Sequence, residues 1–266
     1  MPKTTSKKSN FDLTTRQMKI LFTVVKEYCD TGETIGSKEL CEKYHFDISP
    51  ATIRNELVIL RNLEYLHQPF INAPSQPTEK SFKLFINQLI VGLGQSNKRQ
   101  VDLQGRILEL QTKQDNLSKE IARLIADQTN SVGFSLTSND ESISGVKHLF
   151  GNNFDNNQSI EGVLDFLDNI DQHKQLLYNS DDSSTDQDGF HSNLDSNITT
   201  LFGGESKSIP LSKGYTLVAT KVNVGNEQTV IGLISPTHIL AGSKKIQALD
   251  SLQKELNKFN LSKKKE

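Results

Sequence analysis

The stretch Ser49-Pro50-Ala51-Thr52-Ile53-Arg54-Asn55-Glu56-Leu57 constrains this chain more than any other. A serine at the N-cap accepts a hydrogen bond from the first turn, and proline suits the first helical position because its N–H would be unsatisfied there anyway. A helix therefore starts at Ser49, with Ile53, Leu57, Leu60 and Leu63 as its buried stripe. Ala51, Thr52, Arg54, Asn55 and Arg61 fall on other faces. Their chemistry fits a nucleic-acid groove: Arg54 offers a forked donor to guanine or phosphate, Asn55 matches adenine, and Ala51 and Thr52 allow close approach to a thymine methyl. A solvated polar face has the same composition, so the neighbouring elements must decide between the two.

Two helices precede this one. Thr14 followed by Gln17 has the form of a capping box, and Met18, Leu21, Val24, Val25 and Tyr28 recur at helical spacing until Asp30-Thr31-Gly32. Ser37 then reads as the N-cap of a short helix over residues 38–44, with Leu40, Cys41 and Tyr44 inward and a turn at residues 45–48. Three helices with a short turn before the third match the helix-turn-helix layout, in which the start of the third helix enters the major groove. Residues 65–68 read as a short strand, and residues 69–77, with three prolines, as a loop in the place of a wing. Helix resumes from Thr78, through Phe82, Leu84, Phe85, Leu89 and Ile90, and ends at Gly92-Leu93-Gly94.

The whole chain of 266 residues carries a formal charge of -2, which argues against a protein coated in nucleic acid. Residues 1–91 hold 12 Lys/Arg and 10 Asp/Glu, so the remainder carries -4. Lys3, Lys7 and Lys8 sit in a Ser/Thr/Asn-rich leader expected to stay disordered, where they aid solubility or touch phosphate. The two cysteines, Cys29 and Cys41, are too few for a disulfide framework and read as reduced, packed thiols. With no apolar run long enough to span a bilayer and no hydrophobic segment in the polar N-terminus, a cytoplasmic location with no membrane partner is expected.

The second half is less regular. Leu103, Ile107, Leu110, Gln114, Leu117, Ile121 and Leu124 alternate by four and three, as in a coiled-coil seam. A dimer helix and a helix packed on its own domain's sheet both fit, since Leu108 and Ile125 widen the stripe. Residues 132–136, 215–224 and 229–234 read as strands, the last two joined at Gly225-Asn226-Glu227, followed by helix over residues 243–259. Residues 152–197 are rich in Asn, Asp and Ser, with one helical patch at Ile160, Val163, Leu164, Phe166, Leu167 and Ile170 beside a flexible acidic segment at 179–195. Enzyme chemistry finds little support. Ser144-Gly145-Val146-Lys147 has the Ser-x-x-Lys form without its usual companion motifs, Cys41 and His45 lack further metal ligands, and no glycine-rich phosphate loop occurs. No cofactor and no metal are expected.

Several of these residues carry a family resemblance. Thr31-Gly32-Glu33, Ile35-Gly36-Ser37-Lys38, the Ala51-Thr52-Ile53-Arg54-Asn55 core, Gln68-Pro69 and Pro77-Thr78-Glu79-Lys80 resemble the HrcA family of heat-inducible transcription repressors. A fainter similarity covers Phe202-Gly203-Gly204-Glu205-Ser206, residues 230–237 and the closing helix, which look like the family's C-terminal GAF-like portion. The resemblance implies a homodimer that binds an inverted repeat, the CIRCE element, and represses chaperone operons, with the chaperonin GroEL favouring the active repressor. Two departures stand out. Phe70-Ile71-Asn72-Ala73-Pro74-Ser75 replaces the family's usual His-Thr-Ser-Ala-Gly-Arg, so the wing lacks an arginine for phosphate or minor-groove contact. The chain is also shorter than is usual, and the missing length is expected between residues 132 and 151, at strands of the GAF-like sheet and in the inserted dimerisation region.

The expected architecture is thus α+β: a leader at 1–10, a winged helix-turn-helix at 11–91, a linker at 92–99, and a GAF-like domain at 100–266 with a reduced insert at about 152–197. Candidate DNA contacts are Lys38, Ser49, Ala51, Thr52, Arg54, Asn55, Arg61, Gln68 and Asn72. Two other classes remain open: a winged-helix regulator with a small-molecule effector, and a protein-interaction module that does not bind DNA.

Overall fold

A computed structural model describes residues 13–70, 73–93, 117–150, 157–179, 189–193, 197–224, 227–242 and 244–263. The leader, Asn72, and Leu103 to Gln114 of the seam lie outside the described residues. The chain is α+β and divides into two compact units, Met1–Ile86 and Asn87–Glu266.

The first unit begins with α1 (Thr15–Thr31), whose capping box is complete: Gln17 N donates to Thr14 Oγ1 at 3.2 Å and Thr14 N to Gln17 Oε1 at 2.9 Å. Gly32, at φ 74°, ends the helix in the left-handed conformation that glycine adopts without a Cβ clash. Helix α2 (Ser37–Tyr44) starts one residue earlier than expected: Gly36 is the N-cap and makes no side-chain cap bond, so Ser37 is the first helical residue. Helix α3 (Pro50–Asn62) follows, and then β1 (Leu66–His67) and β2 (Gln76–Pro77) pair antiparallel. The expected loop at 69–77 therefore returns to the ladder at its last two residues. Leu63 is not in the buried stripe of α3 but caps its C-terminus, half-buried. Helix α4 (Glu79–Leu93) closes the segment.

The second unit is built on one six-stranded antiparallel sheet. Its strands are β3 (Val132–Leu136), β4 (Glu141–Ser144), β5 (Phe190–Asn193), β6 (Ile198–Phe202), β7 (Tyr215–Val224) and β8 (Glu227–Pro236), in spatial order β4-β3-β8-β7-β6-β5. Side chains alternate across a sheet. On one face Phe134, Leu136, Leu217, Ala219, Val230 and Ile234 form a core with α6 (Asn157–Asp168) and α7 (Ile170–Asn179). On the other, α5 (Leu117–Thr129) and α9 (Lys245–Lys263) lie on β3, β7 and β8, after the short α8 (Thr237–Gly242). A Cβ on Gly133 would lie 2.5 Å from Ala122 O, so only glycine lets α5 approach β3 this closely.

Several expectations change here. Residues 132–151 hold two paired strands and a 3-10 turn at Val146–Leu149, so strands are not missing from that interval. The single patch at 160–170 is two helices that meet at Asn169, whose Nδ2 and backbone N–H both donate to Asp165 O, at 2.9 Å and 3.2 Å. Phe190–Asn193, read as flexible, is an edge strand recruited by pairing with β6. The β7–β8 register pairs Val224 with Glu227, which puts Glu227 in the strand rather than the turn. The described part of the seam, Leu117 to Leu124, packs on β3, β4 and β8 of its own unit. Among the described residues no helix is long and apolar enough to cross a membrane.

Candidate nucleic-acid interface

Helix α3 is held from one side and open on the other. Ile53, Leu57 and Leu60 are buried, and α3 packs on α1, α2 and β1. Between them Glu56 is 4% exposed, and its carboxylate receives Arg16 Nη2 at 2.6 Å and Gln17 Nε2 at 3.0 Å. A buried carboxylate is costly unless its oxygens are paired and hydrogen-bonded, so these donors fix the rotation of α3 against the start of α1. Ser49 Oγ accepts from Thr52 N at 3.2 Å and lies 3.0 Å from Thr52 Oγ1, which caps the helix as the sequence indicates.

A second buried carboxylate sets α2. Glu27 accepts from Lys43 Nζ at 2.6 Å and from the Tyr44 hydroxyl, joining the end of α1 to the end of α2. The bond from Lys43, then that from Tyr44, holds the Glu27 carboxyl below its ordinary 4.5, and the same contact pushes the Tyr44 hydroxyl up to about 12. A carboxylate depressed in the folded state stabilises it above the unfolded pKa, and that contribution disappears as pH falls through the folded value. The melting temperature of the first unit should therefore fall as the solution is acidified below about pH 4.5. Glu27→Gln should flatten this dependence in melts taken from pH 6 downward to about pH 3; an unchanged slope would remove Glu27 from the role.

The candidate contacts separate into groups. Ala51, Arg54 and Asn55 are exposed along the first two turns of α3, and neither Arg54 nor Asn55 makes a side-chain hydrogen bond or ion pair among the described residues. Thr52 is half-buried beside exposed Ser49, their hydroxyls engaged with each other. Lys38 is exposed on α2, 4.0 Å from Glu42. Arg61 and Gln68 serve the framework: Arg61 Nη1 donates to Ser75 Oγ at 2.8 Å and Gln68 Nε2 to Ala73 O at 2.7 Å, which bind the β1–β2 connection to α3 and to itself. Asn72 lies outside the described residues.

Two features of this face escaped the sequence reading. Glu56 and Glu27 are buried although charged, and their partners come from distant parts of the chain. Val58 and Ile59, 39% and 41% exposed, extend the outward face of α3 with apolar side chains. Their spacing from Arg54 and Asn55, one turn on, was the available signal.

Elsewhere the candidate chemistry dissolves into packing. Cys41 Sγ lies 3.3 Å from Ile48 O, and His45 is the exposed left-handed cap of α2 at φ 48°. Burial, aided by Asp30, pushes the Cys29 thiol up to about 12, far from a reactive thiolate. Ser144 sits in the β3–β4 ladder opposite Gly133, and Lys147 is exposed. Among the described residues no group of three or more His, Cys, Asp or Glu is placed to hold a metal ion.

The family model of the HrcA protein C-terminal domain matches residues 45–240. The heat-inducible transcription repressor HrcA of Staphylococcus haemolyticus is 38% identical over 96 residues, covering 36% of this chain and 30% of that protein. Those of Sorangium cellulosum and Clostridioides difficile are 37% identical over 116 residues and 33% over 144, covering 44% and 52% of this chain but 33% and 41% of those proteins. The matched stretches thus span well under half the length of these relatives. A crystal structure of a hypothetical protein superposes with a TM-score of 0.66 at 14% identity, over 94% of this chain and 99% of that one, and shows a shared fold. With a family model spanning α3 through the central sheet, and the capped Ala51 to Asn55 core in place, the chain belongs to the HrcA family.

Proposed function

We propose that the first unit is a winged helix-turn-helix that binds duplex DNA, and that the protein represses transcription of heat-shock chaperone operons by binding rather than by catalysis. One observation carries the reading: α3 has two opposed faces, one locked through Ile53, Glu56, Leu57 and Leu60, the other presenting Ala51, Arg54 and Asn55 from a capped start. The antiparallel pairing of β1 and β2, after α3 in the chain, supports reading this segment as a wing. The relatives' description as heat-inducible transcription repressors supports the same function. On this reading the DNA-binding domain is 11–91, a linker spans 92–99, and 100–266 forms a GAF-like domain that carries the contacts of a homodimer. Ala51, Arg54 and Asn55 read base edges, Lys38, Ser49 and Thr52 approach the backbone, and the chaperonin GroEL is the regulatory partner.

Dimerisation has a physical motive. One recognition helix touches only a few bases, so useful discrimination needs two half-sites about 34 Å apart or a multiple of that distance. The test is selection of bound sites from a pool of random duplexes, followed by titration of affinity against salt. An inverted repeat, bound more weakly as salt rises, is the expected result. Failure to retain any duplex, or an affinity indifferent to salt, rejects the proposal.

A further inference from the structure

The outward face of α3 is not uniformly polar. Beyond the exposed Pro50 that opens the helix, Ala51, Arg54, Asn55, Val58, Ile59 and Asn62 are its exposed positions, spaced by three and four residues, and they lie opposite the buried Ile53, Glu56, Leu57 and Leu60. At about 100° per residue, Val58 sits near the centre of that face, while Ile59 lies one step round toward its flank. Neither is drawn into the unit's own core. A rise of about 1.5 Å per residue puts Val58 some 6 Å beyond Arg54, or about two base pairs along a groove. A branched hydrocarbon there has no hydrogen bond to offer. In the major groove the thymine C5-methyl is the one apolar feature of a base edge, so an apolar side chain at this position discriminates thymine from the other bases.

We infer that Val58 is a specificity-determining residue that packs against a thymine methyl in each half-site, two base pairs beyond the base or phosphate held by Arg54. The inference rests on the proposed DNA-binding role of α3 and names what that helix reads past its polar start.

The test uses the full-length chain and the duplex recovered by selection, with each half-site thymine replaced in turn by deoxyuridine, which differs only in lacking the methyl. Fluorescence anisotropy at fixed salt should reveal one position where wild type loses affinity about four-fold, the equivalent of about 0.8 kcal/mol for one buried methyl. Val58→Ala removes the contact from both half-sites of the dimer, so it should bind the unmodified duplex about sixteen-fold more weakly and be insensitive to deoxyuridine at that position alone. Val58→Thr, close in shape and bearing one methyl, should retain part of the response. Far-ultraviolet circular dichroism melts check that the variants fold, as substitution of a partly exposed residue should allow. If wild type responds nowhere, if Val58→Ala keeps the full response, or if the selected half-site has no thymine, Val58 does not read a methyl, while specific binding still upholds the broader proposal. If no duplex is selected at all, both fall together.

Discussion

Arg54→Ala is expected to weaken binding to the selected operator by about 1–3 kcal/mol per half-site, so that a dimer on two half-sites loses on the order of a hundred-fold or more. The side chain is exposed and forms no bond among the described residues, so its removal leaves the fold alone, and thermal stability should stay within about 0.5 kcal/mol of wild type. Salt titration separates two modes of action. Loss of a forked contact to guanine relaxes discrimination at one base pair and leaves the salt slope unchanged. Loss of a phosphate contact weakens all sequences alike and lowers the slope by about one per half-site. Arg54→Lys keeps the charge without the planar fork, so it should restore affinity only in the phosphate case. Wild-type affinity in Arg54→Ala would remove α3 from its assigned role.

Phe134→Ala is expected to cost the second unit about 3–5 kcal/mol of stability. The ring is fully buried in the core between the sheet and α6 and α7, so its removal takes a large side chain out of a close-packed interior. It also covers Gly232, its cross-strand partner: a Cβ on that glycine would lie 2.4 Å from Phe134 Cζ, so ring and glycine are matched. Phe150→Ala is the control, because Phe150 is 62% exposed and the same atoms removed there should change stability by less than about 0.5 kcal/mol. Urea unfolding reads both variants, with a shifted midpoint and an unchanged slope for Phe134→Ala. Equal losses in the two would mean that the sheet core is not as closely packed as described.

Where a short stretch of chain carries its own instructions, the sequence was readable. The capping box at Thr14 and Gln17 and the Ser49-Pro50 start form as their residue types require, because cap and N–H lie within one turn. Strands β3 and β7 have the limits their apolar runs suggest. Strand β6 went unread: Ile198-Thr199-Thr200-Leu201-Phe202 is buried throughout, so threonines inside the fold blurred the alternation that marks a half-exposed strand. Strand β4, Glu-Ser-Ile-Ser, has one apolar residue and exists through its pairing with β3. On the interface, the polar residues are of two kinds. Arg54 and Asn55 reach solvent, whereas Arg61 and Gln68 reach Ser75 and Ala73, and a helical pattern gives no hint of an acceptor that lies beyond a turn of proline-rich chain.

By itself the sequence determined the starts of α1 and α3, the polar character of the leading face of α3, and the family, because each rests on residues within a few positions of one another. Only the tertiary structure decided which charged groups go inside and which apolar ones stay out. Glu56 is buried because Arg16 and Gln17 of another helix meet it there, and Val58 and Ile59 remain exposed because α3 turns a different side to its neighbours. Burial depends on what packs against a residue, and the free energy of a charge or a methyl group follows that surrounding medium.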